Sequence, residues 1–284
     1  MTVSTRPEQQ IEPSGQSKAR SRIARALLDD SWLAPDCTPP SPAVAALIHD
    51  QFRALVLHPS FSCLGAKSAV RGGGYRLGIY EELGSAEATR ALARDLAAFA
   101  ATLNDATGDE QDGHAGRLTT FVASFLRPVP GDEMEFERLL WGQLQSLHDG
   151  DQVSEWDPAV SSDPDDPHFS FSIAGRAFFV VGLHAASTRW ARRFAWPTLV
   201  FNPHDQFDRL RQDGHFGRLQ GLIRGRERTL QGSLNSNLSD FGERSEARQY
   251  SGRPVDEHWR CPFRARTAPG GDTDSSSTPD EDDA

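Results

Sequence analysis

The sequence lacks the features that mark secreted and membrane proteins. It has three cysteines in 284 residues, Cys37, Cys63 and Cys261, and none of them forms a CxxC pair. An odd number at these spacings argues against a disulfide framework and favours a reducing compartment. A membrane-spanning helix needs about 18 or more consecutive apolar residues, and no apolar run in the sequence approaches that length. The first residues also lack the apolar segment of a secretory signal peptide. We therefore expect a cytoplasmic protein without a membrane partner.

Nucleotide-binding fingerprints and a basic charge balance are missing as well. The 30 basic and 40 acidic residues give a formal net charge of −10, which disfavours nucleic acid as a partner. The sequence contains no GxxxxGK[ST] loop, no GxGxxG after a strand, no GxSxG elbow and no HExxH. The chain therefore shows no nucleotide or flavin fingerprint.

Composition divides the chain into three parts. Residues 1–40 are poor in large apolar side chains and predict a flexible N-terminal arm. Residues 265–284 carry six acidic residues and no base after Arg266, which predicts a disordered acidic tail. Residues 41–264, which hold nearly all the periodic apolar patterns, are expected to form one domain.

Helix and strand patterns alternate within residues 41–264. Ser41, Ser85 and Asp132 each precede an apolar stripe at helical spacing, as N-cap residues do. Strand patterns occupy 75–83, 117–128, 168–173, 176–184 and 198–201. We predict an α+β (or α/β) fold, a single domain with a mixed sheet of about five strands flanked by helices and with disordered termini.

Residues 168–207 organise the predicted domain. HFSFSI alternates apolar and polar residues, Ala174-Gly175 is typical of a two-residue turn, and RAFFVVGLH is nearly continuous in apolar residues. The strand that begins at Thr198 ends in Asn202-Pro203, a pair typical of a helix start. These patterns predict two strands joined by a tight turn, then a third strand and a helix.

The link between the second and third of these strands suggests a ligand site. Residues 185–197 contain STRWARRF, a predicted short helix capped by Ser187, and links of this kind usually join parallel strands. His184 and His204 would then follow neighbouring strands at one edge of the sheet, where open sheets bind ligands. Each histidine could instead simply cap its strand.

The candidate ligands leave the cofactor open. His184, His204 and Asp205 are the ligand types of a two-histidine, one-carboxylate metal face. A thiolate from Cys63 or Cys261, or either imidazole, could instead hold a haem iron, with arginines pairing the propionates. The chain has no CxxCH, so a haem would be non-covalent. Spacing alone does not choose between haem, metal and no cofactor.

Six segments of the sequence carry a family resemblance. They are FSCLGAKSA (61–69), EFERLLWGQLQSLHDGD (135–151), FSFSIAGRAFFVVGLH (169–184), STRWARRF (187–194), LVFNPHDQFDRLR (199–211) and SEARQYSGRPVDEHWRCPF (245–263). In this order they resemble the YqcI/YcgG family, in particular its branch of haem-dependent N-hydroxylases that act on arginine and related guanidines. Ala185 stands where that branch more often has proline, which affects loop rigidity rather than ligand identity.

The resemblance implies that residues 41–264 are a haem-binding catalytic domain. The protein would bind haem b and oxidise a guanidine nitrogen of L-arginine or a related amino acid to N-hydroxy-arginine, for a specialised metabolite such as an antibiotic. Because flavin and nicotinamide fingerprints are missing, electrons would come from a separate reductase, or the oxidant would be peroxide. The rival functions are a non-haem metal-dependent oxygenase or hydrolase built on His184 and His204, and a non-catalytic haem-binding protein.

The residues expected to serve this chemistry fall into three groups. The axial iron ligand would be Cys63, Cys261, His184 or His204. The propionates would pair with Arg189, Arg192 and Arg193. A substrate guanidinium needs carboxylates in bidentate geometry, for which the candidates are Glu81, Glu82, Asp157, Asp163 and Asp205.

Overall fold

The structure, a computed structural model, describes residues 33–37, 39–105 and 118–266. The helices in these ranges are α1 (Pro42–Leu57), α2 (Leu64–Gly72), α3 (Ala86–Asp105), α4 (Glu133–Gly150), α5 (Asp205–Gln212), α6 (Phe216–Gln231) and α7 (Ala247–Tyr250). The strands are β1 (Tyr75–Glu82), β2 (Thr120–Arg127), β3 (Phe171–Ile173), β4 (Arg176–Leu183) and β5 (Thr198–Pro203). No helix within these ranges is both long and apolar enough to cross a membrane.

The five strands form one mixed sheet in the order β1-β2-β5-β4-β3. β1 and β2 pair in parallel across the α3 crossover, as strands joined through a helix do. The other three neighbouring pairs are antiparallel. The predicted α+β fold, with a mixed sheet of about five strands in a single domain, is confirmed.

The three predicted helix starts are confirmed because their signals are local. Ser41 Oγ accepts a hydrogen bond from the backbone N–H of Val44 at 3.2 Å, and Pro42 occupies the first helical position. Ser85 Oγ accepts a hydrogen bond from the backbone N–H of Ala88 at 3.2 Å. Asp132 Oδ1 accepts from the N–H of Glu135 at 2.8 Å.

The predicted tight turn between β3 and β4 is confirmed as well. Ala174 has φ 53° and Gly175 has φ 71°, so both central residues lie in the left-handed region. A two-residue hairpin of this kind matches the twist of its strands, and glycine at the second position adopts the positive φ without a steric penalty. This turn aligns Ile173 with Arg176 in the β3–β4 ladder.

The prediction that β4 and β5 are parallel is wrong. They pair antiparallel, with Leu183 opposite Thr198 and Phe178 opposite Pro203. The link contains only one 3-10 turn, Trp190–Arg192, and Ser187 caps no α-helix. Backbone bonds from His184 N–H to Arg192 O, at 3.0 Å, and from Phe194 N–H to His184 O, at 3.3 Å, fold the link back on the strand end. The segment is therefore a long hairpin loop and not a crossover helix.

The helix start predicted at Asn202-Pro203 is also displaced. β5 continues through Pro203, and α5 begins at Asp205 after His204. The side-chain amide of Asn202 donates to Phe179 O at 3.1 Å on the neighbouring strand. Asn202 therefore ties β5 to β4 instead of capping a helix.

The sheet separates two apolar clusters, because strand side chains alternate between its faces. The larger cluster lies beneath α3 and α4 and includes Leu92, Leu96, Phe121, Phe125, Phe136, Leu140, Phe171, Phe178, Val180 and Phe201. The smaller one lies beneath α1 and α2 and includes Ile48, Phe52, Val56, Leu77, Ile79, Val122, Leu183 and Val200. Neighbouring residues such as Val180 and Val181 thus belong to different faces.

Residues just outside both predicted domain boundaries pack against the domain. Residues 33–37 of the predicted N-terminal arm lie against the sheet, where Ala34 N–H donates to Leu77 O at 2.9 Å. At the other end, the backbone N–H of Arg266 donates to His148 Nε2 at 2.9 Å. The remaining predictions for the arm, residues 1–32, and for the acidic tail, from residue 267, fall outside the described residues.

Candidate functional site

An apolar cavity of about 330 Å³ lies on the smaller-cluster face of the sheet, beneath α2 and α6. Its walls include Phe179, Val181, Leu183 and Val200 from the sheet, Cys63, Ala66, Ala69 and Val70 from the start and body of α2, and Ile223, Arg224 and Glu227 from α6. Cavities that enclose small molecules or cofactors measure about 300–1,000 Å³ and are mostly apolar with a few polar groups. This cavity therefore has the size and lining of a ligand pocket.

Cys63 places its thiol at this cavity. It is the N-cap residue of α2, and its Sγ accepts a hydrogen bond from the backbone N–H of Ala66 at 3.4 Å. Burial raises the pKa of the thiol, while the N–H groups of Ala66 and Gly65 and the charge of Arg192 act in the opposite direction. Without a ligand the group is therefore a neutral thiol, and a bound cation or metal would favour its thiolate.

The cavity wall also carries an ion pair between the buried Arg189 and the half-buried Glu227. The Nε and Nη2 atoms of Arg189 donate to Glu227 Oε1 at 3.2 and 2.5 Å. Arg189 also donates to the side chain and the carbonyl of Ser233, at 3.1 and 2.7 Å. Among the described residues, no hydrogen bond reaches Glu227 Oε2. One carboxylate oxygen therefore keeps its capacity to accept a further bond.

Arg192 lines the cavity, but its guanidinium is occupied by hydrogen bonds to the backbone. Its guanidinium donates to the backbone carbonyls of Gly182, Gln249 and Tyr250, at 3.3, 2.9 and 2.9 Å. Burial lowers its pKa to about 10, and Glu227 opposes that shift. Arg192 thus ties β4 to α7 beneath the cavity.

His184 lies outside the cavity, on the other side of the sheet. It is completely buried, and its ring stacks on Phe136 with 4.2 Å between the centroids. Neither ring nitrogen has a hydrogen-bond partner among the described residues, and burial lowers its pKa to about 4. The residue is therefore a neutral imidazole in an apolar setting.

The structure separates the two histidines that the sequence brought together. The backbone N–H of His204 donates to Ala177 O at 2.9 Å, at the start of β4, whereas His184 follows the last residue of β4. Seven residues of strand span roughly 23 Å. His204 Nδ1 instead lies 3.3 Å from Asp208 Oδ2, and burial lowers its pKa. The predicted two-histidine metal face is therefore wrong, and within the described ranges no three His, Cys, Asp or Glu side chains are grouped to hold a metal.

The carboxylates predicted to bind a guanidinium do not line the cavity. Glu81 and Glu82 flank the side chain of Arg127 at the exposed end of β1, at 3.3 and 3.0 Å. Asp157 Oδ2 accepts from the N–H of Ala177 at 2.9 Å. All three therefore have structural partners away from the cavity.

The remaining candidates are also placed elsewhere. Asp163 lies in an exposed turn, where its Oδ1 accepts from the N–H of Asp165 at 3.0 Å. Asp205 Oδ2 contacts Arg176 at 3.1 Å and Arg209 at 3.3 Å. Arg193 donates to Ser187 O at 2.7 Å, and Cys261 is buried in the larger cluster. None of these four lines the cavity.

Glu227 is the cavity residue that the sequence did not reveal. It is the one carboxylate among the described residues of the wall, and it lies within the Arg-rich run of α6. Its only sequence signal was a position four residues after Ile223, which places both on one helical face. That face could be assigned to the cavity only once the helix was seen to cover the sheet.

Comparison with known proteins gives one match. The model of the YqcI/YcgG family matches residues 52–264, a range that includes the sheet and every cavity residue named above. No curated protein and no solved structure matches the chain.

Proposed function

Because the chain belongs to the YqcI/YcgG family, we propose that it acts, like the branch it resembles, as a haem-dependent N-hydroxylase of L-arginine or a related guanidine. The observation that carries the proposal is the position of Cys63, whose thiol opens at the start of α2 onto the apolar cavity. A cysteine thiolate in an apolar slot is one of the ways in which proteins hold haem iron, and it favours O–O cleavage. The product would be the N-hydroxy amino acid.

The donor set of the cavity fits a haem. Cys63 can supply a thiolate, and the N–H groups at the start of α2 can donate hydrogen bonds that stabilise its negative charge. Phe179, Val181 and Val200 give one wall an apolar surface against which a macrocycle could pack. The bound haem would supply the oxidising chemistry, and the electrons would come from a separate reductase or from peroxide.

The protein's own residues would bind and orient the guanidine. Glu227 is the carboxylate of the wall, and its Oε2 can accept an N–H bond from a guanidinium while Arg189 holds Oε1. Arg189 would then act as a positioning residue that keeps the carboxylate in place. The apolar walls would exclude water from the nitrogen that is oxidised.

An absorption spectrum tests the cofactor. Protein titrated with protohaem should give a Soret band whose position changes in Cys63→Ala and stays the same in Cys261→Ala. Cys261 is the matched control because its buried thiol lies in the larger cluster, away from the cavity. A chain that binds no haem, or a Cys63→Ala spectrum identical to that of the wild type, would refute the proposed site.

Turnover tests the reaction. The haem-loaded protein, supplied with L-arginine, oxygen and a reductant, or with peroxide, should release a product heavier by one oxygen atom. Glu227→Gln should raise KM for arginine with a smaller effect on kcat, because it weakens binding of the guanidinium. Haem binding without any turnover of guanidines would identify a haem-binding protein instead of an enzyme.

A further inference from the structure

Three cations at the α2–α6 junction have no balancing carboxylate. Lys67 and Arg71 lie four residues apart on α2, and Arg226 approaches them from α6. No ion pair with a described carboxylate involves any of the three, whereas Arg189 and Arg253 pair with Glu227 and Glu137. We refer to Lys67, Arg71 and Arg226 as the basic cluster. Like charges at this spacing repel and destabilise the helix that carries them.

Lys67 is the buried member of the basic cluster. It is 5% exposed, and its Nζ donates to the backbone carbonyl of Pro59 at 3.0 Å. A carbonyl satisfies one hydrogen bond and leaves the charge uncompensated, which is costly for a buried group. Burial, and then the charges of Arg226 and Arg71, lower the pKa of Lys67.

Arg226 brings an unsatisfied donor to the same place. Its Nη2 donates to the carbonyls of Pro59 and Phe61, the latter at 3.1 Å. Its Nε is buried and has no partner among the described residues. Buried donors almost always have a partner, so an orphaned guanidinium N–H beside a buried lysine indicates a missing acceptor.

The basic cluster adjoins the cavity. Phe61 and Cys63, on either side of Ser62, line the cavity, and the Phe61 carbonyl is a partner of Arg226. Glu227, the residue after Arg226, faces the cavity from the same helix. A ligand lying against Cys63 could therefore extend an anionic group past Phe61 towards the cluster.

The arginines expected to hold such a group are already occupied. Arg189 pairs with Glu227, Arg192 donates to three carbonyls, and Arg193 donates to Ser187 O. We propose that Lys67 and Arg226, assisted by Arg71, form an oxyanion-binding site at the rim of the cavity that holds a carboxylate of the bound ligand. If the ligand is haem, as the proposed function has it, that carboxylate is a haem propionate.

The first test uses inorganic phosphate as the probe and does not involve haem. At constant ionic strength, phosphate should raise the unfolding temperature of the wild type, and Lys67→Met and Arg226→Gln should abolish that shift. Arg228→Gln is the control, because it removes the same charge from an exposed position of α6. Without phosphate, Lys67→Met should unfold at the same or a higher temperature than the wild type, since it removes repulsion.

The second test separates a ligand carboxylate from a free anion. Lys67→Met and Arg226→Gln should each weaken protohaem binding roughly tenfold, the effect of one lost charge-assisted hydrogen bond. Neither should change the binding of protohaem dimethyl ester, which has no free carboxylates. Arg228→Gln should bind both compounds as the wild type does.

The outcomes are distinguishable. Equal phosphate shifts in all variants, with equal protohaem affinities, would refute the basic cluster as a site while leaving the haem proposal standing. A phosphate shift that depends on Lys67 and Arg226, in a chain that binds no haem, would support the anion site and refute the proposed cofactor. Equal losses of affinity for protohaem and its ester would show that the residues support packing and would overturn the proposal.

Discussion

Single buried side chains carry the clearest pH dependence in this protein. Glu246 accepts hydrogen bonds from Ser170 and Tyr250 on the same oxygen, at 2.7 and 2.6 Å. Burial raises its pKa to about 8, although both hydrogen bonds act in the opposite direction. Near neutral pH the side chain is therefore a protonated carboxylic acid in the fold and ionised in the unfolded chain.

We expect Glu246→Gln to become more stabilising, relative to the wild type, as pH rises. Below about pH 4.5 the acid is protonated in both states, so its ionisation does not affect stability. Between there and pH 8 the unfolded wild type ionises first, which lowers its stability by on the order of 2–4 kcal/mol. Urea unfolding of wild type and variant at pH 5 and pH 8 measures the difference. Glu257→Gln, at an exposed site, is the control, and a pH-independent difference would contradict the prediction.

His184 should respond to pH in the opposite sense. Burial lowers its pKa to about 4, so the unfolded chain binds a proton more readily as pH falls from about 6.5. His184→Phe keeps the stack on Phe136 and removes two buried, unpartnered nitrogens. We expect the variant to be about 1 kcal/mol more stable at pH 7, and more so at pH 5.

Thermal unfolding at the two pH values checks this expectation for His184. Phe171→Leu, on another strand facing the same cluster, serves as the packing control. A less stable His184→Phe would show that the imidazole has a required partner. Loss of the Soret band with an unchanged unfolding temperature would instead assign the iron ligand to this histidine.

At the scale of elements, helix starts could be predicted from local sequence signals, but the relative direction of β4 and β5 could not. The starts of α1, α3 and α4 were predicted because the capping side chain lies within three residues of the N–H it binds. The β4–β5 link misled because thirteen residues suit either a crossover helix or a long hairpin loop. Its backbone bonds to His184, which decide between them, form only once the chain has turned back.

The site was predictable only where a short motif marked it. Cys63 stood out as one of three cysteines, and Arg189 and Arg192 as part of an arginine-rich loop. Glu227 carried no such mark, because it is one of 40 acidic residues. Lys67 is one of only two lysines in the chain, but nothing in the sequence indicated that it would be buried beside Arg226. Their significance comes from α6 packing over α2, which brings together positions about 160 residues apart.

The helix that covers the cavity, α6, has a low intrinsic helix propensity because it contains three glycines. α6 has no buried residue, and Gly217, Gly221 and Gly225 recur at four-residue spacing along it. A Cβ added at any of the three would meet no atom within 4 Å. Glycine in an exposed helix costs about 1 kcal/mol relative to alanine. α6 is therefore less stable than it would be with alanine at these positions, where there is room for the side chain.

Alanine at Gly221 should therefore stabilise the protein, by about 0.5–1 kcal/mol. Gly182→Ala in β4 should do the reverse, because its Cβ would come within 2.4 Å of the Phe136 ring. Gly142→Ala, in the open middle of α4, is the matched helical control. Urea unfolding measures all three. A destabilised Gly221→Ala would show that α6 packs more closely against the sheet than described.

At the scale of the whole molecule, the two faces of the sheet are filled unequally. The larger cluster is closed by interlocking aromatic rings, among them Phe171, Phe178, Phe201 and Phe263. The opposite face holds the cavity of about 330 Å³. An apolar space of that size forfeits the contacts that a packed core would make. The fold thus leaves stability unrealised on the face where Cys63 lies, as sites that must admit a ligand generally do.

Adjacent substitutions in β4 can test this inequality, because Val180 and Val181 face opposite sides. Val181→Phe would place a ring in the cavity, and we expect about 1 kcal/mol of added stability without ligand, together with loss of the proposed haem binding. Val180→Phe would overfill the closed cluster and should cost about 1–3 kcal/mol. Unfolding temperatures and haem titrations of both variants decide the matter. Equal destabilisation by the two would mean that the cavity closes in solution, and unchanged haem binding in Val181→Phe would place the cofactor elsewhere.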